Sequence, residues 1–260
     1  MNLYCWLTSG FLLLFLALFP CHRAETAPLS ALWKRDALTF SGFRWDAKTG
    51  YFSPGANHWS ADNVWVDAED RLHLRLSEKG GVWHCAEVSA GMFGYGLYRF
   101  YIDGPVNHLD KHAVLGLFLY PGPQLPFRAN AEIDIEFARW GNADAPAGHY
   151  TVTPATWNFS LALQGNLSTH QFVWLPDRIE FSSYQGHGEL SDRTLLGRWE
   201  FRGDGNTALP VPPLQLHINY WLFQGNSPAH INQPEIVIRK FVFHSVPGPH
   251  PHQRVVQETE

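Results

Sequence analysis

Apolar and polar residues alternate along this chain in short bursts, most sharply at Ala131-Glu132-Ile133-Asp134-Ile135-Glu136-Phe137. Strict period-two alternation predicts a β-strand with two unlike faces. Ile133, Ile135 and Phe137 form the face that needs a core; Glu132, Asp134 and Glu136 share the other. Arg71-Leu72-His73-Leu74-Arg75-Leu76 alternates in the same way, after a strand at 63–67 and a turn at 67–70. Further strands are predicted at 97–102, at 149–152 and at 235–243. The unbroken apolar run at 114–120 predicts a strand buried on both sides, stopped by Pro121-Gly122-Pro123. Residues 28 to about 58 read as loop-rich. No amphipathic helical period, internal repeat or low-complexity linker breaks the pattern. Short strands with turn signals every 8–12 residues predict an all-β fold, a two-sheet β-sandwich.

The ends read differently. The apolar run at 11–20 has the length of a secretory signal core and is too short to cross a membrane comfortably. Residues 1–27 are therefore expected to be a signal peptide, cleaved after Ala24 or Ala27, with a retained anchor as the alternative. The expected location is secreted, periplasmic or extracellular, with no membrane attachment after cleavage. Residues 28–246 form the expected single domain, and the polar, Pro- and His-containing 247–260 a disordered tail. Cys5 and Cys21 fall in the leader, so Cys85 remains alone and no internal disulfide is expected. Asn158-Phe159-Ser160 and Asn166-Leu167-Ser168 are sequons, meaningful only where a host glycosylates.

Composition narrows the function classes. Hydrophobic residues make up 45% and charged residues 17%, enough for a sizeable core. The net charge is −5 and no Lys/Arg run occurs, so nucleic acid is a poor partner. The 11 tryptophans fit either sugar-stacking surfaces or a large β core.

The acidic face of 131–137 carries the candidate chemistry. Same-face neighbours on a strand lie roughly 6–7 Å apart, and like charges that close raise at least one pKa. Two carboxyls can cleave a glycosidic bond, with retention when they approach to roughly 5–5.5 Å. Glu132 and Glu136 have backbones about 13 Å apart in an extended strand, so their side chains must lean together. A solvated edge strand or a cation site are the plain alternatives.

Glu132-Ile133-Asp134-Ile135-Glu136-Phe137 resembles the signature of glycoside hydrolase family 16, in the E-x-D-x-E form of lichenases and xyloglucan endotransglycosylases. The likeness runs from about residue 40 to 245. Phe93, Tyr95, Gly96 and Tyr98 are similar to the family's F-x-Y-G segment. His170, Phe172, Trp174, Pro176, Ile179 and Phe181 sit where the family has a pair of strands, with Phe172 for a tyrosine. Pro210, Pro213, Asn219 and Trp221 match its penultimate segment. The Asp-Gly turn usual after residue 181 is replaced by Ser182-Ser183-Tyr184-Gln185-Gly186.

The resemblance implies a concanavalin-like β-jelly roll with a concave substrate cleft. It makes Glu132 the nucleophile, Glu136 the acid/base and Asp134 the residue that tunes them. Trp140 either stacks on sugar or covers the core at the rim. Asn219 and Trp221 share one strand face and reach the cleft unless Trp221 is a core tryptophan. Tyr120 and Phe118 share a face beside the acidic strand; His149 lines the cleft or is a structural histidine. No catalytic cofactor or metal site is expected; the family's structural calcium finds no compact ligand set here. The expected activity is retaining endo-hydrolysis of mixed-linkage or β-1,3-linked glucan by a monomer, with a polysaccharide as substrate. A cell-wall transglycosylase and a non-catalytic glycan-binding sandwich are the rival readings.

Overall fold

Period-two alternation is realised as two packed sheets. The computed structural model describes residues 37–122, 131–203, 208–229 and 234–248. The leader at 1–27 and the tail beyond residue 248 lie outside the described residues.

In chain order the first strands are β1 (Leu38–Phe40), β2 (Phe43–Ala47), β3 (Gly50–Phe52), β4 (Asn57–Trp59), β5 (Val64–Val66) and β6 (Leu72–Arg75). Next come β7 (Ser77–Lys79), β8 (Val82–Phe93), β9 (Gly96–Asp103), β10 (Ala113–Tyr120), β11 (Ile133–Phe137) and β12 (Gly148–Val152). The last are β13 (Ala155–Phe159), β14 (Leu167–Trp174), β15 (Ile179–Gln185), β16 (Leu195–Phe201), β17 (Leu214–Leu222) and β18 (Glu235–Ser245). The helical turns among the described residues are single 3₁₀ turns of three residues each. One sheet runs β1-β2-β8-β17-β10-β11-β12-β13, with β3, β4 and β7 attached near β8. The other runs β16-β15-β14-β9-β18-β6-β5. Neighbours are antiparallel throughout, except that β4 runs parallel to β8. This is the all-β sandwich that the turn spacing predicts.

The core lies between the sheets because each strand turns one apolar set inward. Leu115, Leu117 and Leu119 of β10 are fully buried, as are Ile133, Ile135 and Phe137 of β11. Tyr98, Phe100 and Ile102 of β9, with Phe172 and Trp174 of β14, meet them from the second sheet. A polar chain in this layer is bonded internally. His170 bonds Ser183 Oγ at 2.7 Å and Ser168 Oγ at 2.8 Å, and Tyr150 OH bonds Ser183 Oγ at 2.5 Å. Burial holds the His170 imidazole neutral, down to about 3.

Two expectations need correction. Residues 38–59 carry four short strands rather than loop, because their Gly and Pro residues mark hairpin turns between aromatic strand residues. The 114–120 run is not covered on both faces along its length. Phe118 and Tyr120 are only half-buried and point away from the core. An apolar run without polar alternation hides which face meets solvent.

Candidate active site

β11 delivers the acidic set to the outer face of the first sheet. Its inward residues need the core, so Asp134 and Glu136, with Glu132 just ahead of the strand, are forced outward together. All three line one cleft of ≈ 600 Å³. β10 and β17 supply Phe118, Tyr120, His217, Asn219 and Trp221, and the β3–β4 turn adds a wall of Phe52, Ser53 and Pro54.

Strand register sets the geometry. Asp134 lies opposite Phe118, and Phe118 opposite His217; the last two rings stack at 5.0 Å and 16°. Glu136 lies opposite Gly116, Gly116 opposite Asn219, and Asn219 opposite Glu87 of β8. Gly116 is required for close approach. A Cβ there would sit 2.6 Å from Asn219 Oδ1 and 3.4 Å from the Phe118 ring. Its absence lets the Asn219 amide lie across β10 towards Glu136.

The three carboxyls are electrostatically unhappy. Asp134 is 5% exposed, and Glu132 and Glu136 are half-buried. Among the described residues no Lys or Arg forms an ion pair with any of them. Burial, then the charge of Glu132, pushes Glu136 up to about 8. Burial, followed by Glu132 and Glu136, drives Asp134 well above the usual carboxylate range. Burial also raises Glu132, opposed by the hydroxyl of Thr153, which donates to its Oε2 at 3.2 Å. Glu136 is thus protonated near neutrality and can donate a proton. Of the three carboxyls, Glu132 has that hydroxyl donor to favour its charged form.

A second group stands at the far side of the same cleft. Lys48 Nζ donates to Glu87 Oε2 at 2.8 Å, and His217 Nδ1 bonds Glu87 Oε1 at 3.1 Å. Burial alone would raise Glu87, but the His217 bond and the Lys48 charge outweigh it and hold it below its ordinary value.

Trp140 and His149 are placed outside the cleft lining. The strand stops at Phe137, and Trp140 sits in a turn at φ 50°, so its in-strand parity is lost. Arg139 holds that turn by donating to the carbonyls of Ala145 at 2.6 Å, Asn107 at 2.9 Å and Ala143 at 3.0 Å. The Trp140 ring packs against Phe223 at 5.4 Å, His149 at 5.7 Å and Trp221 at 6.3 Å. It buttresses Trp221 rather than facing the cavity. His149 is opposite Glu136 in register but is covered; its ring bonds Asn158 Oδ1 at 2.7 Å and the Ala138 carbonyl at 2.9 Å. Neither residue lines the cleft.

Lys48, Glu87, Gln215 and His217 line the cleft without having been singled out from sequence. Gln215 and His217 share the strand parity of Asn219 and Trp221, so counting back by twos along β17 finds them. Lys48 and Glu87 meet across 39 positions, and no local pattern announces that. A larger groove of ≈ 880 Å³ at the end of the sandwich is lined by Phe43, Met92, Tyr95 and Val211 among others, without a carboxylate. The chemistry therefore belongs to the smaller cleft. Among the described residues no group of three His, Cys, Asp or Glu side chains could hold a metal ion.

No family model and no curated protein matches the chain at the level of sequence. Solved structures do match in fold. The chain is similar to a Bacillus licheniformis β-glucanase at 21% identity and TM-score 0.55, covering 78% of this chain and 92% of that one. A β-1,3-glucanase from Mycobacterium marinum matches at 15% identity and TM-score 0.58, covering 80% and 93%. A glycoside hydrolase family 16 endo-glucanase from Bacteroides ovatus, in complex with G4G3G-2F-DNP, matches at 14% identity and TM-score 0.57, covering 77% and 94%. The chain thus shares its fold with solved β-glucanases, one of them from glycoside hydrolase family 16.

Proposed function

We propose that this protein is a retaining endo-β-glucanase that cleaves mixed-linkage or β-1,3-linked glucan. The carrying observation is the trio Glu132, Asp134 and Glu136 on the floor of one open cleft, with no Lys or Arg among the described residues paired to any of them. A glycan-binding protein gains nothing from such repulsion, whereas a carboxylate pair with separated protonation states is what double displacement needs.

In the first step Glu132 attacks the anomeric carbon and Glu136 gives its proton to the departing glycosidic oxygen. The C–O bond to the leaving sugar breaks as the bond to Glu132 forms, leaving a glycosyl ester. In the second step Glu136, now ionised, takes a proton from water, whose oxygen displaces Glu132 and restores both carboxyls. Asp134, buried between them on the same strand face and raised by burial and by both glutamates, is the residue that tunes the pair. Half-buried Tyr120 and Phe118 offer ring faces to sugar, and Asn219 offers an amide. The leader-like segment supports a setting outside the cell.

The test is a polysaccharide panel. Purified protein is expected to release oligosaccharides from barley β-glucan or laminarin, and Glu132→Gln to stop release without lowering the melting temperature. Labelled acceptor sugar appearing in longer polymer would assign the second step to transfer instead of hydrolysis. Silence on every β-glucan and galactan would overturn the proposal.

A further inference from the structure

The corner around Lys48 adds a side-chain tie between the β3–β4 wall of the cleft and β8 in its floor, beyond the β4–β8 pairing. Lys48 follows β2 directly, and its backbone N–H donates to the Glu87 carbonyl at 2.9 Å. Its ammonium makes three contacts. It donates to Glu87 Oε2 in the floor at 2.8 Å and to the Ser53 carbonyl in the wall at 2.8 Å. It also lies 4.2 Å from the centroid of the Trp59 ring. Lys48 is 8% exposed and Glu87 3%. Such burial of an ion pair is tolerated only where the partners are closely hydrogen-bonded, as here.

The wall has a separate anchor behind it. Asn57 Nδ2 donates to the Pro54 carbonyl at 2.8 Å and to the Leu222 carbonyl at 2.9 Å, and Trp59 Nε1 donates to the Phe52 carbonyl at 3.0 Å. Those bonds hold the hairpin on the sheet. Lys48 adds the bond at Ser53, between the Phe52 and Pro54 carbonyls, on the edge that borders the cavity. That edge stands beside Glu87, three strands from Glu136 in the same row, or roughly 14 Å at the usual strand spacing. A sugar at the scissile linkage does not reach so far; a chain several sugars long does.

We propose that Lys48 is a positioning residue that pins the outer wall of the cleft to its floor, and that this pinned corner holds the stretch of glycan remote from the cleaved bond. The inference rests on the glucanase reading and specifies its substrate as long chains. Binding energy won far from the reacting centre is what raises the rate on long substrates over short ones.

The experiment compares wild type, Lys48→Met, Lys48→Arg and the double variant Lys48→Met/Glu87→Gln on β-glucan oligosaccharides of increasing length. The double variant removes both charges at once, so no lone carboxylate is left buried if the single change fails to fold. In the folded neutral variant the ratio of kcat/KM on long to short chains is expected to fall roughly tenfold, mainly through KM. Lys48→Arg should recover most of it. Binding of the same series is measured by calorimetry in a Glu132→Gln background, where turnover plays no part. A length dependence identical to wild type in both assays would overturn the role of Lys48. Absence of turnover by wild type, with length-dependent binding that is lost on removing Lys48, would instead overturn only the hydrolytic reading.

Discussion

Glu136 and Glu87 lie in one cross-sheet row of the same cleft, and their carboxyls are driven in opposite directions. Burial raises both. Glu87 then meets an ammonium and an imidazole and ends below its ordinary value; Glu136, among the described residues, meets another carboxylate and ends near 8. Burial by itself therefore does not decide the charge of a cleft carboxyl; the neighbour does. The compensated corner is architecture, holding wall to floor. The uncompensated row is where the proposed mechanism places its acid.

The largest effect that sharpens this contrast is on rate. Glu132→Gln is expected to lower kcat on β-glucan by roughly 10⁴-fold or more, measured by reducing-end release. Glu136→Gln should do the same on natural glucan but spare much of the first step on a dinitrophenyl glycoside, whose leaving group needs no proton. Equal losses on both substrates would break the assignment of Glu136 as the acid. Next is stability. Lys48→Met leaves the buried Glu87 short of its ammonium and should cost roughly 3–5 kcal/mol in denaturant unfolding. A near-neutral result would mean that the corner is not an ion pair that matters.

Gly116→Ala tests the space between the two regions. The added Cβ would meet Asn219 Oδ1 at 2.6 Å, and displacing that amide should cost about 1–3 kcal/mol and raise KM. The smallest effect is the pH dependence. Glu136 has a folded value raised above its unfolded one, so the native state holds the extra proton between about 4.5 and 8. Its favourable contribution is fully present below the unfolded value and is lost as pH rises through about 8. Glu87, held low, contributes with the opposite sign and weakens the fold as pH falls through its own depressed range. Above pH 8 Glu136→Gln should melt roughly 2–4 °C higher than wild type, and below pH 5 the two should converge. A parallel offset at every pH would contradict the protonation assigned to Glu136.

The two regions also differ in how far they could be read from the chain. The acidic row is written within seven residues, and alternation alone places its side chains on one face. The corner is assembled from residues 48, 87 and 217, which meet only because β2, β8 and β17 are neighbours in the sheet. Strand adjacency across such separations leaves no local periodicity. Trp140 shows the converse limit. Counting by twos from Glu136 places it on the cleft face, but the strand ends at Phe137, where the Arg139 turn changes the chain's direction. The sandwich itself was legible from turn spacing and inward leucines, while the short strands of 38–59 were hidden by their Gly and Pro content.

The most direct measurement is covalent capture. Protein incubated with a 2-deoxy-2-fluoro-glucan oligosaccharide bearing a dinitrophenyl leaving group is digested and read by mass spectrometry. The account predicts one sugar ester, carried by Glu132, and none in Glu132→Gln. A label on another residue, or steady turnover of the reagent with no ester ever formed, would contradict it.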